Sequence, residues 1–535
     1  MDDFFKDGVA NMPGLSPLSF LNHSNNPKAK IPRILAKSPT GEYSAVGVHF
    51  VDYSQTLHSI TIGGTGSGKT LVLKQNIADA ISNAAGSSQK IVIFDLKGDL
   101  VTVVVAVGEL CGIRVYIFHP SNKRACPWDI QADTGGRYDT MSSIAREFVP
   151  ISEASGDTFW YEGALAILEL IFSGYMNAGV DFGIHNIYNF VNQCSDTIVE
   201  ILSKVLKGNP LVARFFETAD NQKVREGILV TLTVALQRIQ ASAIQQLHTP
   251  RYRHQGIVDI LNRDTPAVLV FGADMAHFAY QKAVLRAQFN VIANWVLGRD
   301  ETKPLSAVNI SIDELPEFGK GFNKVVELAA FGRTKNCRLS VTAQNYGQLI
   351  HQFGAEMAAT LVGNCDLKTV LATNDKATAE WAASISGGRE KLRPGYSAGS
   401  NSLSVSWNYG TVPNVRPEDI YAMKKASPNN GLEYYLHSPY VRPAIGHVSS
   451  SWLESRKPPQ IRSDRYFSAF TPEETFFRFW NPVQDFRKPQ SYQSIKRAYI
   501  AAGSNPVGQL IRQEVWNYFE SLSGAFIDEL IRQYQ

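Results

Sequence analysis

Apolar residues fall in short blocks along the first quarter of the chain. Ile60 and Ile62 alternate with polar neighbours, Ile91-Val-Ile-Phe94 is uninterrupted, and Val115–Phe118 is apolar again. Blocks this short predict strands, and an uninterrupted block predicts a strand buried on both faces. Between the first two lies a helical stretch from Thr70 to about Ile81. Strand, helix, strand at this spacing predicts an α/β sheet with crossover helices.

From about residue 131 the period changes. Leu165, Leu168, Ile171 and Ile201, Val205 recur at helical spacing, and strand signals are few across 140–245. Strand-like blocks return at Ala267–Phe271, Val308–Ile312, Leu339–Thr342 and Thr369–Leu371, with helical stretches between them. The pattern predicts one α/β domain with a central, mostly parallel sheet, interrupted by an all-helical insertion. The expected divisions are an N-terminal arm over 1–50 with a strand near Tyr43–Val51, a first sheet segment over 51–130, the insertion over 131–255, a second sheet segment over 256–450, and a tail over 451–535. The tail ends in a helix from about Val507 to Tyr534, whose apolar stripe runs Ile511, Val515, Tyr518, Leu522, Phe526, Leu530. That stripe packs on its own domain or docks a partner.

Composition narrows the classes. In 535 residues, 44% hydrophobic and 19% charged exclude global disorder. A net charge of +3 does not announce a nucleic-acid binder by bulk charge. Its distribution is uneven, however: residues 131–245 hold 13 Asp/Glu against 8 Lys/Arg, so an acidic insertion stands apart from a more basic remainder. Five cysteines (111, 126, 194, 337 and 365) include no C-x-x-C pair, which argues against a zinc knuckle or a disulfide framework and for a reducing cytoplasm. No apolar run is expected to cross a membrane, since Val101–Val107 is the best and is soon followed by Glu109 and Arg114. The acidic start MDDFFKDG does not read as a secretory signal.

The sharpest chemistry is Gly63-Gly64-Thr65-Gly66-Ser67-Gly68-Lys69-Thr70, placed after a strand and opening a helix. Glycines let backbone N–H groups turn inward around phosphate oxygens, and the helix N-terminus adds its positive end. Lys69 is expected to reach the β- and γ-phosphates and Thr70 to give its hydroxyl to Mg²⁺. The chain lacks an N/T-K-x-D base reader, so ATP is favoured over GTP. A phosphate loop also needs acids on a neighbouring strand. Ile310-Ser-Ile-Asp313-Glu314 supplies two, Asp313 for the magnesium shell and Glu314 to polarise the attacking water. Asp95, at the end of another strand, either orients Lys69 or a water, or caps a turn. Gln344 ends the following strand, where an amide can sense the γ-phosphate. Arg333 is a candidate arginine finger for a neighbouring subunit's ATP. Basic residues at Arg333, Lys335, Arg338, Lys424 and Lys425 are candidate phosphate contacts for DNA. Arg389, Lys391 and Arg393 join them, beside a Gly395–Gly399 loop that can line a pore.

Taken in order, these motifs resemble the type IV secretion coupling proteins, the conjugative DNA-transfer coupling ATPases. The resemblance runs over about residues 45–450 through Gly63–Thr70, Asp95-Leu-Lys-Gly-Asp99, Phe118-His-Pro-Ser with Pro127-Trp-Asp129, Asp157-Thr-Phe-Trp160, Asp313-Glu-Leu-Pro-Glu-Phe-Gly319, Gly332-Arg-Thr-Lys335 with Gln344-Asn345 and Gln348-Leu349, and Gly363-Asn-Cys365 with Thr373-Asn-Asp375. It implies a RecA-like motor domain acting as a homo-hexamer, with Arg333 working in trans. The implied partners are single- or double-stranded DNA, relaxase and relaxosome or effector proteins, and the secretion channel. The acidic insertion would meet substrate from the cytoplasmic side. Most family members carry N-terminal membrane helices, and none is expected in this chain, so either a partner anchors it at the inner face of the cytoplasmic membrane or it serves a soluble role. Two other readings compete: a nucleotide-gated substrate receptor that does not pump, and a cytosolic translocase of the HerA–FtsK kind, against which the helical insertion argues.

Overall fold

In a computed structural model of the chain, the described residues are 33–37, 43–47, 57–135, 137–150, 158–207, 209–210, 222–399, 402–439, 441–455, 457–482 and 485. The expected C-terminal helix lies outside them. The chain divides into two compact units, one of residues 1–115, 264–270 and 296–462, the other of 116–263, 271–295 and 463–535.

The first unit is built on a sheet. Its strands are β1 (Arg33–Lys37), β2 (Tyr43–Gly47), β3 (His58–Ile62), β4 (Lys90–Asp95), β5 (Arg114–Phe118), β6 (Ala267–Gly272) and β7 (Val308–Ile312). They continue with β8 (Cys337–Ala343), β9 (Cys365–Leu371), β12 (Leu432–Ser438) and β13 (Val441–Val448), after the hairpin of β10 (Gly388–Gly399) and β11 (Ser402–Pro413). The order is β2-β1-β13-β12-β9-β3-β8-β7-β4-β6-β5, with the unit boundary running through β5 and β6. The pairs β9-β3, β3-β8, β8-β7 and β7-β4 are parallel; β12-β9, β12-β13, β1-β13 and β1-β2 are antiparallel.

Every residue of β3, β4 and β7 is buried, as a sheet covered on both faces requires. Neighbouring residues sort to opposite faces. Leu371 and Tyr434 join Val72, Leu432, Leu436 and Val448 in one core cluster, while Val370 and Tyr435 join Ala379, Ala382, Val415 and Ile420 in another. The polar interruptions of β7 are also buried, and Asn309 is satisfied by Arg338 Nη1 at 3.3 Å and Gln89 at 3.5 Å. The N-terminal arm holds two strands rather than one, because β1 pairs with both β2 and β13. The stretch Gly395–Gly399 is not a loop. It belongs to β10, which pairs with β11 from Gly388↔Pro413 to Gly399↔Ser402. A two-stranded ribbon keeps one edge of each strand free, which is how Pro394 is tolerated inside it.

Among its described residues between 130 and 263, the second unit is mostly helical. Its helices include Tyr138–Phe148, Phe159–Asn177, Ile184–Val191, Ser195–Val205 and a run over 222–248. That last run is, by length and composition, apolar enough to cross a membrane, which the sequence pattern did not predict; half of its most apolar stretch is buried in the protein. The buried side carries Ile228, Leu232, Leu236, Ile239 and Ala243. Asp133 ties the start of the helical segment to its end, accepting from Trp128 Nε1 at 2.6 Å and from the backbone N–H groups of Ile257 and Val258 at 2.9 and 2.8 Å. Residues 463–482 and 485 belong to this unit. Two fully buried asparagines fasten them: Asn122 donates to Tyr466 O and accepts from Ser468 N, while Asn189 donates to Trp480 O and accepts from Trp480 N.

Candidate nucleotide site

Strand β3 lies between β9 and β8 and delivers the chain to the sheet edge where the loop 63–68 begins. The loop is pinned there, Gly63 N to Ala343 O at 3.2 Å and Gly64 N to Ala372 O at 3.0 Å. Two glycines are obligatory. A Cβ on Gly63 would come within 2.6 Å of Ser67 Oγ and 2.7 Å of Leu371 Cβ. Gly68 has φ +101°, and a Cβ there would meet Leu432 at 2.7 Å. The helix Lys69–Ala84 starts directly after it, with no side-chain cap on its first N–H groups.

Lys69 is buried and folds back over the loop, donating to Gly63 O at 2.6 Å and Gly64 O at 3.3 Å. Burial lowers its pKa, with Glu314 and Asp313 pulling the other way. The two acids follow β7, whose Asp313 N–H bonds back to Phe94 O of β4. One hydroxyl fixes both: Thr342 Oγ1 of β8 donates to Asp313 Oδ1 at 2.8 Å and accepts from Glu314 N at 2.9 Å. Glu314 sits at φ 54°, a left-handed conformation that non-glycine residues seldom adopt. Its Oε2 accepts from Lys97 Nζ at 2.8 Å. Burial raises the pKa of Asp313 despite the Thr342 bond and the lysines. For Lys97, burial lowers the pKa, but the bond to Glu314 and the charges of Glu314, Asp313 and Asp99 together outweigh it and the net shift is upward.

A cavity of about 750 Å³ opens over the loop. Gly64, Thr65, Gly66, Ser67, Gly68, Lys69, Thr70 and Gln344 line it, as do Lys97 and Asp99. Its remaining walls come from Ala426–Pro428 and from Ser450, Ser451, Leu453, Glu454 and Lys457. Gly63 stands behind the loop as the acceptor for Lys69, and Glu314 connects to the cavity through Lys97, with Asp313 joined to Glu314 by Thr342. Arg333 does not line it. Arg333 lies in the turn after the helix Lys324–Phe331, half exposed and paired with Asp366 at 3.0 Å.

Asp95 has a different task from orienting Lys69. Its Oδ2 accepts from Leu100 N and Val101 N, both at 2.9 Å, so it caps the helix Val101–Leu110. Burial moves its pKa up to about 6. Three of the basic residues put forward as DNA contacts are engaged within the unit: Arg333 with Asp366 as above, Lys335 with Glu301 at 2.9 Å and with Arg299 O, and Arg338 with Asn309. The sequence reading missed Lys97 and Thr342, although both stand inside motifs it quoted. It had no signal for the walls at 426–428 and 450–457, which lie more than 350 residues from the loop.

The polar atoms fit an anionic ligand with a divalent cation. Ser67 Oγ, Asp313 Oδ2 and Glu314 Oε1 are buried and have no hydrogen-bond partner among the described residues. Unpaired groups like these are costly unless something completes them.

Residues 42–426 match the family model of the type IV secretion-system coupling protein DNA-binding domain. No curated protein matches the chain. Among solved structures, the unbound bacterial conjugative coupling protein TrwBdeltaN70 is similar at 16% identity and a TM-score of 0.61, covering 84% of this chain and 95% of that one. TrwB in complex with ADP and Mg²⁺ is similar at 16% identity and a TM-score of 0.57, covering 87% and 95%. TrwB with the non-hydrolysable ATP analogue ADPNP is similar at 16% identity and a TM-score of 0.55, covering 78% and 88%. The shared fold is a RecA-like P-loop domain with a mostly parallel sheet.

Proposed function

Since the chain belongs to the type IV secretion-system coupling protein family, we propose that it is a Mg²⁺-dependent ATPase that drives DNA, a relaxase–DNA complex or effector proteins into a secretion channel. One observation carries the reading: a single cavity gathers the phosphate loop and Gln344, with two buried acids fastened behind it. ATP and Mg²⁺ come from the loop chemistry and from the ligands named for TrwB.

In this reading the loop N–H groups and Lys69 hold the β- and γ-phosphates, Lys69 leaving the Gly63 and Gly64 carbonyls to do so. Thr70 and Asp313 hold the magnesium, Asp313 largely through water. The metal neutralises phosphate charge and polarises the transferred group. Glu314 takes the proton of the attacking water, and Gln344 reports the γ-phosphate. Arg333 serves a neighbouring subunit of a homo-hexamer, exchanging Asp366 for phosphate oxygens. The acidic helical unit receives substrate, and an anchoring partner keeps the motor at the inner face of the cytoplasmic membrane.

The test is steady-state ATP hydrolysis by the full chain, with and without single- and double-stranded DNA. Stimulation by DNA that Lys69→Ala abolishes supports the motor. Glu314→Gln is expected to keep nucleotide bound and to lose turnover by about 100-fold or more. Turnover indifferent to DNA but raised by a secretion substrate protein would replace the motor with a nucleotide-gated receptor.

A further inference from the structure

We infer that Lys97 is a positioning residue for hydrolysis: it fixes one carboxylate oxygen of Glu314 so that the other is presented to the attacking water. The inference rests on the ATPase reading above. Glu314 is held from two sides. Thr342 accepts its backbone N–H at 2.9 Å, stabilising the left-handed φ of 54°, and Lys97 Nζ holds Oε2 at 2.8 Å. Oε1 is left buried and without a hydrogen-bond partner among the described residues. A carboxylate fixed at its backbone and at one oxygen has one oxygen to offer, in one direction.

Lys97 is placed to do this from the cavity wall. It belongs to the turn after β4, and that turn is rigid: Asp95 Oδ2 holds Leu100 N and Val101 N at 2.9 Å each, and Gly98 turns the chain at φ +73°. The lysine side chain is 36% exposed and its partner 2%, so the cation reaches inward from the cavity to a nearly buried carboxylate. An ammonium bound to a carboxylate at this distance forms a charge-assisted bond, stronger than the bonds Lys69 makes to neutral carbonyls. Lys97 therefore stays on Glu314 when phosphate enters. In the reaction, the water oxygen bonds to the γ-phosphorus. The bond from phosphorus to the β–γ bridging oxygen breaks with its electron pair leaving on ADP, and the water's proton passes to Glu314 Oε1. Lys97 touches none of these atoms.

The experiment compares Lys97→Met and Lys97→Arg in the full chain. Lys97→Met is expected to lower kcat about 10- to 100-fold, while KM for ATP and the affinity for a fluorescent ADP analogue stay within about twofold. Lys97→Arg restores most of the rate, because a guanidinium also reaches Oε2. On a Glu314→Gln background, Lys97→Met removes no further rate. A wild-type kcat in Lys97→Met, beside an inactive Lys69→Ala, overturns the positioning role and leaves the ATPase reading standing. Weakened binding of both ATP and the ADP analogue also overturns it, since Lys97 would then act on the phosphates. A wild-type chain that turns over no ATP under any condition overturns the ATPase reading and this inference with it.

Discussion

Replacing Thr342 with valine removes one hydroxyl and almost no volume, and that hydroxyl fastens both acids of the site. Thr342 is buried, 1% exposed, with Asp313 Oδ1 at 2.8 Å and Glu314 N at 2.9 Å. The valine methyl can neither donate nor accept, so a buried carboxylate oxygen and a buried N–H both lose their partner. A bond to a charged group contributes about 1.5–3 kcal/mol and a neutral one about 0.5–1.5, so the unit should lose about 2–4 kcal/mol. The loss is local, and amide hydrogen exchange reads it best in peptides spanning 307–319 and 337–345. Free energy of that size speeds exchange about 30- to 1000-fold where opening is local. Turnover should fall about 10- to 100-fold, because Glu314 loses the bond that holds its left-handed backbone. Thr342→Ser, which keeps the hydroxyl, should retain both protection and most of the rate. Exchange within twofold of wild type in Thr342→Val, with unchanged turnover, would refute the claim that this hydroxyl builds the site.

Gly68→Ala should cost roughly 2–5 kcal/mol, about 1–2 from the left-handed φ and about 1–3 from overpacking, and should abolish binding of a fluorescent ADP analogue; an alanine variant that binds normally would show that the loop does not need this turn. His58 accepts from Leu339 N at 3.0 Å through Nδ1, and burial, then the Arg333 charge, lowers its pKa from 6.5 to about 4. The unfolded chain takes up that proton near pH 6.5 and the folded chain does not, so its contribution is complete above about pH 6.5 and is lost as pH falls toward about 4. His58→Asn keeps an acceptor without the titration, and urea unfolding should show it about 2 kcal/mol less sensitive than wild type to a drop from about pH 6.5 to about pH 5. Asn189→Ala should free residues 476–482 to proteolysis, because its two bonds to the Trp480 backbone are lost, leaving Gln193 Nε2 on Trp480 O at 3.4 Å; unchanged cleavage would show that Gln193 and the aromatic contacts suffice.

The sheet was legible because its strands are short apolar blocks bounded by polar turns, and β4, β6 and β7 fall within a residue of the blocks that predicted them. The phosphate loop was legible because its chemistry is local: eight consecutive residues carry both the turn and the charge. What depends on distant pairing was not. β1 is a five-residue block, Arg-Ile-Leu-Ala-Lys, with a cation at each end, and it becomes a strand through β2 and β13. The Gly/Ser-rich stretch at 395–399 reads as a loop by composition, yet cross-strand bonds to β11 make it a strand. Asp95 and Asp313 look alike as strand-end acids. They diverge because Asp95 meets two free helix N–H groups while Asp313 meets Thr342 on the neighbouring strand, and only the fold decides which.

The two lysines of the site show how the partner of a charge decides its role. Lys69 rests on the carbonyls of Gly63 and Gly64, which are neutral acceptors. Lys97 rests on Glu314, an anion. An incoming phosphate competes well for the first, since it replaces ion–dipole bonds with ion pairs, and poorly for the second, since it would strand a buried carboxylate. Lys69 is thus the mobile cation that follows the ligand, and Lys97 is the fixed one that follows the acid. Lys69 and Lys97 together match the charges of Asp313 and Glu314, so the pocket has little surplus positive charge among these four groups. A nucleotide carrying several negative charges therefore needs the loop N–H groups, the helix N-terminus and a divalent cation beside Asp313. Chelating magnesium should weaken ATP more than ADP, because the γ-phosphate brings the additional charge toward the two acids. Equal weakening of both nucleotides, measured with EDTA against excess Mg²⁺, would place the cation away from Asp313 and detach the acids from metal binding.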